Sequence, residues 1–345
     1  MLEKLISEAC EVTLVAQVLG FGDRLARMGC KVVNVNTGRR GTNPFADMRL
    51  FGAYLCALKR EKPDVVLTNN IKPNVYAGLA CRLMKIPYMP NVCGLGAPLE
   101  VPGLMQRLTA FLYRIGIKNA KTIFFQNEEN RLFFERHKLM PKKAKVMVIP
   151  GSGVNLEAHP VLPWPEGRVH FLFAARIMKQ KGIDLFLAAA RRYASDKVVF
   201  DICGQCDDMH YRKILQNEKC VCYHGLQSDM LPFYGRCSCL LYPSYYPEGM
   251  SNALLEAAAC GRPVVAADRA GCRETVEHGV TGYLVPVQNE ERVLETVEKF
   301  LRLSVDERKR MGLSGRRKVE REFDRKIVVD TCWQEVERAI GKGHG

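Results

Sequence analysis

The sequence predicts an α/β protein of two doubly wound, Rossmann-like domains that face a cleft. Short apolar runs alternate with segments of helical spacing along almost all of its 345 residues, which is typical of parallel sheets covered by helices. A Pro- and Gly-rich stretch at residues 150–165 interrupts the alternation once. We therefore expect a first domain at residues 1–155, a second at 156–325, and a C-terminal helix at 326–345 that packs back on the first domain.

In the first domain, apolar runs predict strands with helices between them. The strands are expected at residues 11–17, 31–36, 63–68, 88–92, 121–126 and 145–149, and the helices at residues 2–6, 21–28, 47–60, 75–84, 104–119 and 128–137. Residues 69–74 are polar and predict a turn.

In the second domain, the same alternation starts again. It predicts strands at residues 169–174, 198–203, 221–224, 238–242, 264–267 and 282–285, and helices at residues 182–193, 209–217, 230–237, from near 251, and at 290–303, 305–323 and 326–340. Residues 268–274 and 279–285 are predicted to form a structural turn and a hairpin that line the cleft.

Composition argues against several classes of protein. With 47% hydrophobic and 26% charged residues the chain is globular, and no apolar run is long enough for a membrane-spanning helix. The 14 scattered cysteines favour reduced thiols over a zinc site, and the 7 histidines suggest no His-based catalysis. The glycine patterns of P-loop ATPases and nicotinamide-binding enzymes are missing.

Positive charge is concentrated in the first domain. Residues 1–155 contain 23 Lys and Arg against 11 Asp and Glu, whereas residues 156–345 contain 28 against 26. Such a surface attracts nucleic acid, an anionic membrane leaflet or a phosphorylated substrate, unless it is merely solvated.

The predicted helix at residues 104–119 combines an apolar stripe with a basic edge. This pattern is typical of helices that lie on a membrane surface, and also of helices that pack one face on a core. The stripe consists of Leu104, Leu108, Phe111, Leu112 and Ile115, and the basic residues beside it are Arg107, Arg114, Lys118 and Lys121.

The most informative stretch runs from Tyr242 to Glu256. A buried strand is predicted to end at Tyr242, a turn with Glu248 follows, and a helix containing Glu256 begins near Ser251. A helix start at the carboxyl end of a strand attracts anions, and two carboxylates beside it could bind hydroxyl groups. The amides expected to be free there are those of Gly249, Met250 and Ser251. A ligand with anionic and polyhydroxyl parts is a sugar nucleotide, so Glu256 would pair with a ribose diol or else with a structural Arg or Lys.

Candidate phosphate-binding residues follow other strands of the second domain. Arg176 comes after the first strand, Lys181 precedes a helix, and Gly204 follows the next strand. A guanidinium and an ammonium group suit a diphosphate, and a glycine lets a ligand approach the backbone. Because the carboxyl ends of parallel strands meet at one edge of a sheet, we expect these residues near Glu248. Alternatively, Arg176 and Lys181 are an ordinary surface pair.

These stretches resemble the retaining glycosyltransferases of family four, which have the two-domain GT-B fold. The likeness covers nearly the whole chain and is most specific at residues 243–265, which carry the family's Glu-x7-Glu signature as Glu248 and Glu256. Supporting stretches are residues 175–182, 271–276 and 279–284 in the second domain and residues 39–44, 71–76, 94–96 and 125–128 in the first. The first-domain stretches resemble bacterial transferases that act on undecaprenyl-diphosphate-linked sugars in capsule, O-antigen or glycan assembly.

The resemblance implies roles for individual residues. Arg176 and Lys181 would hold the donor diphosphate. Glu248 would bind donor-sugar hydroxyls beside the amides of residues 249–251, and Glu256 would hold the ribose. The acceptor would contact Lys72, Asn74, Gly94 and Gly96 in the first domain. Transfer would proceed with retention and without a metal or cofactor.

The implied reaction moves a hexose or N-acetylhexosamine from a UDP-sugar to a lipid-diphosphate-linked saccharide. The protein would be cytoplasmic and peripheral on the inner face of the cytoplasmic membrane, bound through its basic first domain, with no nucleic-acid partner. Family members begin with a strand, a loop and a helix, whereas Met1 falls within that helix, so we expect the first strand to be missing. Two alternatives stay open: another enzyme of this fold, such as a UDP-sugar epimerase or a glycogen-type synthase, and a non-catalytic basic binding module.

Overall fold

The structure is a computed structural model that describes residues 1–18, 22–35 and 43–341. The chain forms two compact units, one comprising Met1–Ile149 with Val328–Gly345 and the other Pro150–Ile327. Both are α/β units with parallel strands, which confirms the predicted fold class. Parts of four segments named above lie outside the described residues. They are residue 21 of the helix predicted at 21–28, residue 36 of the strand predicted at 31–36, residues 39–42 of the stretch 39–44, and residues 342–345 of the C-terminal helix.

Two parallel sheets make up the described strands of the first unit. The smaller sheet pairs β1 (Thr13–Ala16) with β2 (Lys31–Asn34), and the larger has the order β3 (Val66–Asn69), β4 (Tyr88–Val92), β5 (Thr122–Phe125), β6 (Lys145–Val148). The helices are α1 (Leu2–Ser7), α2 (Gly22–Arg27), α3 (Pro44–Glu61), α4 (Ile71–Met84), α5 (Gly96–Glu100), α6 (Leu104–Gly116) and α7 (Glu128–Arg136).

The core of the first unit is centred on aromatic side chains. Phe134 of α7 makes edge-on contacts with Phe125 of β5 and Tyr113 of α6, at centroid distances of 5.0 and 5.1 Å. All three are fully buried. These contacts fix α6 and α7 on the larger sheet.

Helix α4 begins at Ile71, so the turn predicted at residues 69–74 is wrong. Pro73 lies in the first turn of the helix, where its missing N–H leaves no hydrogen bond unmade. Asn70 turns the chain out of β3 with a φ of 73°, and its carbonyl accepts the Asn74 N–H at 3.0 Å. Lys72 and Asn74 therefore lie on a helix.

The described strands of the second unit form one six-stranded parallel sheet. Its strands are β7 (Val169–Ala174), β8 (Val198–Cys203), β9 (Cys222–Tyr223), β10 (Cys239–Tyr242), β11 (Val264–Ala267) and β12 (Gly282–Val285), in the order β12-β11-β10-β7-β8-β9. The order reverses between β7 and β10, so the connections after these two strands lead to opposite faces. Open α/β sheets bind ligands at such a switch point.

Helices cover both faces of this sheet. They are α8 (Ile183–Tyr193), α9 (Met209–Asn217), α10 (Leu231–Arg236), α11 (Asn252–Ala259), α12 (Glu290–Arg302) and α13 (Val305–Glu322). Alternation along β7 sends Phe171 and Phe173 into the core under α8 and α12, and Leu172 into the core under α10 and α11. A last helix, α14 (Arg325–Ala339), belongs to the first unit from Val328 onward.

The predicted hairpin at residues 279–285 is wrong, because β12 pairs in parallel with β11. Gly282 makes this pairing possible: a Cβ at that position would lie 2.0 Å from the Val264 carbonyl oxygen. None of the helices that the described residues form is both long and apolar enough to cross a lipid bilayer.

Candidate functional site

The centre of the candidate site is an ion pair between Lys181 and Glu248. Lys181 Nζ donates to Glu248 Oε1 and, at 3.0 Å, to the Tyr242 hydroxyl oxygen. Glu248 Oε1 also accepts from the Tyr242 hydroxyl at 2.8 Å and from Ser244 Oγ at 3.3 Å. Because the two charged side chains are only 10% and 14% exposed, solvent screens their attraction weakly.

Close backbone packing brings Lys181 to Glu248. Lys181 ends a short 3-10 turn (Lys179–Lys181), and Gly182 follows with a φ of 79°. A Cβ on Gly182 would lie 2.3 Å from the Pro243 carbonyl oxygen, so only glycine lets the start of α8 lie against the connection after β10. The Gln180 carbonyl also accepts a hydrogen bond from the Tyr245 N–H at 2.9 Å, which stabilises the same contact.

Two tyrosine rings flank the Lys181 ammonium group. The ring centres of Tyr246 and Tyr242 lie 5.0 and 5.5 Å from Nζ, within cation–π range. Burial, and then the nearby Glu248 charge, raise the pKa of Tyr242 well above its ordinary value of 10.0. The phenol therefore stays protonated, and it can accept from Lys181 while it donates to Glu248.

Tyr242, Ser244 and Tyr246 are site residues that the sequence pattern did not predict. With Glu248 they occupy every second position, and all four side chains contact Lys181 or each other. Alternate side chains share one side of an extended chain, and the two prolines of this stretch favour extended backbone. That spacing is the signal by which the three residues could have been found.

The start of α11 matches the predicted anion site only in part. The Ser251 N–H donates to the Gly271 carbonyl at 2.8 Å, so the prediction that this amide is free is wrong. The connection after β11, which carries Gly271, packs against Gly249 and supplies this acceptor. For the Met250 N–H, no acceptor is found among the described residues. Contacts of Gly249, Met250 and Ser251 with a ligand stay predictions.

Glu256 has a partner that was not predicted from the sequence. Its Oε2 accepts a hydrogen bond from the Tyr234 hydroxyl at 2.8 Å, in place of the expected structural Arg or Lys. Tyr234 is fully buried, and burial followed by the Glu256 charge raise the pKa of its phenol well above 10.0. Tyr234 thus holds the carboxylate in place. No group in the described part of the chain hydrogen-bonds Oε1, and the ribose contact stays a prediction.

Arg176 and Gly204 lie at the same edge of the sheet as Lys181, after β7 and β8. Arg176 is exposed and forms no ion pair within residues 1–18, 22–35 and 43–341. A Cβ on Gly204 would lie 1.7 Å from the Ala175 carbonyl oxygen. Packing of the two strand ends therefore already explains this glycine, and its contact with a ligand stays a prediction.

The candidate acceptor residues belong to the first unit. Lys72 Nζ pairs with Asp47 Oδ1 at 2.9 Å, and Tyr76 donates to the other oxygen of Asp47 at 2.9 Å. This pair could not be predicted from the sequence, because Asp47 lies on a different helix from Lys72. Gly94 lies in the connection from β4 to α5, and Gly96 is the first residue of α5.

Asn74 cannot contact a substrate in this structure, so its predicted binding role is wrong. Its side chain is fully buried and accepts from Thr68 Oγ1 at 2.7 Å. Its amide nitrogen donates to the Asn91 carbonyl at 2.8 Å and to the Tyr113 hydroxyl at 3.4 Å. Asn74 instead joins α4 to β3, β4 and α6.

No cluster of three His, Cys, Asp or Glu side chains that could hold a metal ion occurs among the residues described. The predicted independence of metal and cofactor stays a prediction. All fourteen cysteines have free thiols.

Comparison with known proteins identifies both halves of the chain. Residues 1–151 match the glycosyl transferase 4-like domain, and residues 154–318 match glycosyl transferases group 1. The N,N′-diacetylbacillosaminyl-diphospho-undecaprenol α-1,3-N-acetylgalactosaminyltransferase of Campylobacter jejuni is 28% identical, over 96% of this chain and 92% of its own. The capsular polysaccharide biosynthesis glycosyltransferase CapM of Staphylococcus aureus is 24% identical, over 92% and 86%.

A solved structure shows the same fold. Anabaena Alr3699/HepE, in complex with UDP and glucose, superposes with a TM-score of 0.79 at 16% identity, covering 98% of this chain and 94% of that one. The two family matches leave little of the chain uncovered, and the parallel sheets of both units agree with them. This chain therefore belongs to the glycosyltransferases, with a 4-like domain followed by a group 1 domain in a GT-B fold.

Proposed function

We propose that this chain transfers a hexose or N-acetylhexosamine from a UDP-sugar to a lipid-diphosphate-linked saccharide in the synthesis of cell-surface polysaccharide or glycan. The observation that carries the proposal is the Lys181–Glu248 pair beside the switch point of the group 1 sheet. The UDP donor is supported by HepE, which was solved with UDP and glucose. The acceptor class is supported by the Campylobacter relative, which acts on a diphospho-undecaprenol-linked sugar.

Lys181 and Arg176 would stabilise the leaving group. Negative charge develops on a nucleoside diphosphate as the bond to the sugar breaks, and fixed cations stabilise such charge without reorganising. Lys181 is fixed in this way by Glu248 and Tyr242. Arg176 is exposed and could close on the diphosphate with two parallel hydrogen bonds. We infer a retaining reaction assisted by the leaving phosphate, which needs neither a metal nor a carboxylate nucleophile.

The two glutamates would bind the hydroxyl groups of the donor. Glu248 is held by Tyr242 and Ser244, so a sugar hydroxyl would donate to a carboxylate that is already oriented. Glu256 is held through Oε2 by Tyr234, which directs Oε1 to a ribose hydroxyl in this proposal. Tyr242, Ser244 and Tyr234 thus act as positioning residues.

In the first unit, the acceptor would contact Lys72, Gly94 and Gly96. The acceptor diphosphate would compete with Asp47 for the Lys72 ammonium group, so release of that ion pair would accompany binding. Asn74 takes no part, because it is buried.

Label transfer tests the proposal. The protein is incubated with labelled UDP-sugars and membranes, and label is measured in organic-extractable lipid. We expect transfer from at least one UDP-sugar, and a loss of roughly 100-fold or more in Lys181→Ala and Glu248→Ala. The matched controls Lys213→Ala and Glu291→Ala change exposed residues of the same unit and should retain activity.

The rival functions give different results in the same experiment. An epimerase would convert the UDP-sugar without labelling lipid, and a glycogen-type synthase would label a water-soluble polymer. A basic binding module would bind duplex DNA with a steep salt dependence and would not bind UDP. If Lys181→Ala and Glu248→Ala label lipid as well as the parent does, the proposed reaction stands but the assignment of its site is wrong.

A further inference from the structure

A cavity of about 250 Å³ opens at one edge of the second unit's sheet. Its wall includes Val169, the first residue of β7, and Ser238, the residue before β10. The strands of this sheet pair in parallel, so the cavity lies at their amino ends, whereas Lys181 and Glu248 lie at their carboxyl ends. Pockets for drug-sized ligands are larger, so this one suits a small molecule.

A buried arginine forms part of the cavity wall. Arg308 is 7% exposed, and its Nε and Nη2 donate to the Phe300 and Leu301 carbonyls at 3.2 and 2.7 Å. These carbonyls belong to the last turn of α12, so the side chain caps that helix. For Nη1, no acceptor occurs within residues 1–18, 22–35 and 43–341, and no carboxylate there pairs with the guanidinium. Burial lowers the pKa of Arg308, and an anion bound beside it would offset that cost.

Two further hydrogen-bond donors line the same cavity. The Ser238 hydroxyl oxygen accepts the His170 N–H at 3.2 Å, and its own proton has no acceptor among the described residues, although Ser238 is only 3% exposed. The N–H of Val305, the first residue of α13, likewise has no acceptor in the described part of the chain. The positive end of the α13 dipole lies behind this amide. A hydroxyl and an amide therefore add to the guanidinium.

The rim of the cavity carries two more cations. Arg168 and Lys309 are exposed, and neither forms an ion pair with the residues that the structure describes. Glu166 is the one acidic side chain among the described lining residues, and it is exposed too. With Arg308, the lining has three positive charges and one negative charge. This excess of positive charge attracts anions to the cavity.

Trp164 gives the cavity an aromatic wall. Its indole is half-buried, and the buried Arg262 guanidinium lies 5.5 Å from its ring centre, a cation–π contact that fixes the ring. An aromatic surface beside the cations can pack against the rest of a molecule whose anionic group they bind.

We propose that this cavity binds the phosphate group of a small phosphorylated molecule. A phosphate presents at least three oxygens, which can accept from the Arg308 guanidinium, the Ser238 hydroxyl and the Val305 amide together. A carboxylate offers two oxygens in one plane and suits donors from three separate elements less well. Arg168 and Lys309 then balance the remaining charge at the rim. The proposal does not depend on the proposed reaction, because the cavity lies at the other edge of the sheet.

Tryptophan fluorescence and calorimetry test the assignment, because the chain has only two tryptophans, Trp164 and Trp333. Inorganic phosphate and glucose 1-phosphate are titrated at constant ionic strength, with UDP present to occupy the proposed donor site. We expect both Trp333→Phe and Trp164→Phe to bind in calorimetry, and only Trp333→Phe to keep the fluorescence response. The tighter of the two probes shows whether the ligand is free phosphate or a phosphate ester.

Variants of the cavity should weaken this binding. Arg168→Gln with Lys309→Gln should weaken it by about tenfold, because two rim cations are lost while the buried wall is unchanged. Arg308→Lys should weaken it by about tenfold or more, because an ammonium group cannot cap α12 and bind the phosphate with a planar fork. The matched control Arg310→Gln removes an exposed charge of α13 outside the cavity and should bind like the parent, as should Lys181→Ala.

The melting temperature shows that each variant is folded, and the double rim variant decides if Arg308→Lys is not. Absence of binding by both probes in the parent overturns the proposal, and so does equal binding by the rim variant. A fluorescence response that comes from Trp333, or loss of binding in Lys181→Ala, would place the phosphate elsewhere and overturn it too. Equally tight binding of acetate would show that the cavity does not select phosphate.

Discussion

At the residue scale, the Tyr242 hydroxyl holds the candidate site together. It accepts from Lys181 at 3.0 Å and donates to Glu248 at 2.8 Å, so one oxygen orients both charged groups. The direct ion pair remains if this hydroxyl is removed. Tyr242 is therefore expected to tune the position of the pair, whereas Lys181 and Glu248 are expected to be indispensable.

Tyr242→Phe should lower kcat/KM for sugar transfer by about tenfold. The physical reason is that a hydrogen bond to each of two charged groups is lost, which loosens the pair, while the direct contact between Lys181 and Glu248 remains and limits the effect. Steady-state kinetics with varied UDP-sugar would measure the change. Tyr193→Phe is the control, since it removes a hydroxyl that donates to the Leu294 carbonyl, and it should leave the kinetics unchanged. Equal kinetics in both variants would show that Tyr242 does not position the pair.

At the same scale, Gly182 sets the approach of Lys181 to the connection after β10. Gly182→Ala should lower the free energy of unfolding by about 1–4 kcal/mol and weaken UDP binding, because a Cβ would meet the Pro243 carbonyl oxygen at 2.3 Å and φ is 79°. Chemical denaturation and UDP titration would measure the two effects. Gly235→Ala is the matched control, since the nearest atom to its new Cβ is 4.0 Å away. Similar losses in both variants would contradict the role given to Gly182.

At the element scale, α14 is anchored in the first unit by a buried carboxylate. Glu335 accepts from Thr122 Oγ1 at 2.9 Å and from Lys145 Nζ at 2.6 Å. Burial acts to raise its pKa, but the hydrogen bonds from Lys145 and Thr122 outweigh burial and lower the pKa below 4.5. The unfolded chain therefore takes up this proton first as the pH falls. The stabilisation is present above pH 4.5 and is lost as the pH falls through the lowered pKa.

Glu335→Gln should reduce the free energy of unfolding at neutral pH by about 1–3 kcal/mol, because it removes the charge that pairs with Lys145. The difference from the parent should shrink as the pH falls below 4.5 and through the lowered pKa, where the parent's carboxyl is itself protonated. Urea denaturation across this range would measure it. Glu337→Gln lies on the same helix outside this network and should show little change. A Glu335→Gln difference that stays constant with pH would contradict the assignment.

Whether an element could be predicted depends on whether the residues that determine it are neighbours in the sequence or lie far apart. Strand β11 was predicted with its observed bounds, residues 264–267, because its apolar run is local and uninterrupted. The start of α4 was missed because Pro73 and the polar residues around it suit a turn as well as a first helical turn. The pairing of β12 was missed because it depends on the approach of Gly282 to Val264, a contact between segments far apart in the chain.

The same distinction applies to the candidate site. Lys181 and Glu248 could be predicted to share one sheet edge, because the carboxyl ends of parallel strands meet there. The hydrogen bond from the Ser251 N–H to the Gly271 carbonyl could not be predicted, because this acceptor lies in the connection after the next strand, β11. The burial of Asn74 likewise follows from three separate elements that close over it. Local patterns therefore located the candidate residues, and contacts between elements decided which of them a ligand can reach.

At the scale of the whole molecule, the two domains differ both in net charge and in proposed function. The excess of Lys and Arg over Asp and Glu lies almost entirely in residues 1–155, which include the 4-like domain. The group 1 domain is nearly balanced, and its proposed donor site relies on two cations, Arg176 and Lys181. Attachment to an anionic bilayer would sum many exposed charges, which salt screens effectively. Donor binding would depend chiefly on Lys181, which is 10% exposed and screened less.

Salt should therefore separate the two activities. Raising the ionic strength from about 0.05 to 0.5 M shortens the screening length severalfold and should lower kcat/KM for acceptor presented in anionic vesicles by about tenfold or more. The dissociation constant for UDP should change by only a fewfold under the same conditions. Transfer assays with vesicles and calorimetric titration of UDP would measure the two responses. The charge-reduced variant Arg114→Gln with Lys118→Gln should flatten the first response and leave the second unchanged. If both responses fell in parallel, the basic surface would act on donor binding, and the assignment of the bilayer to the first unit would be wrong.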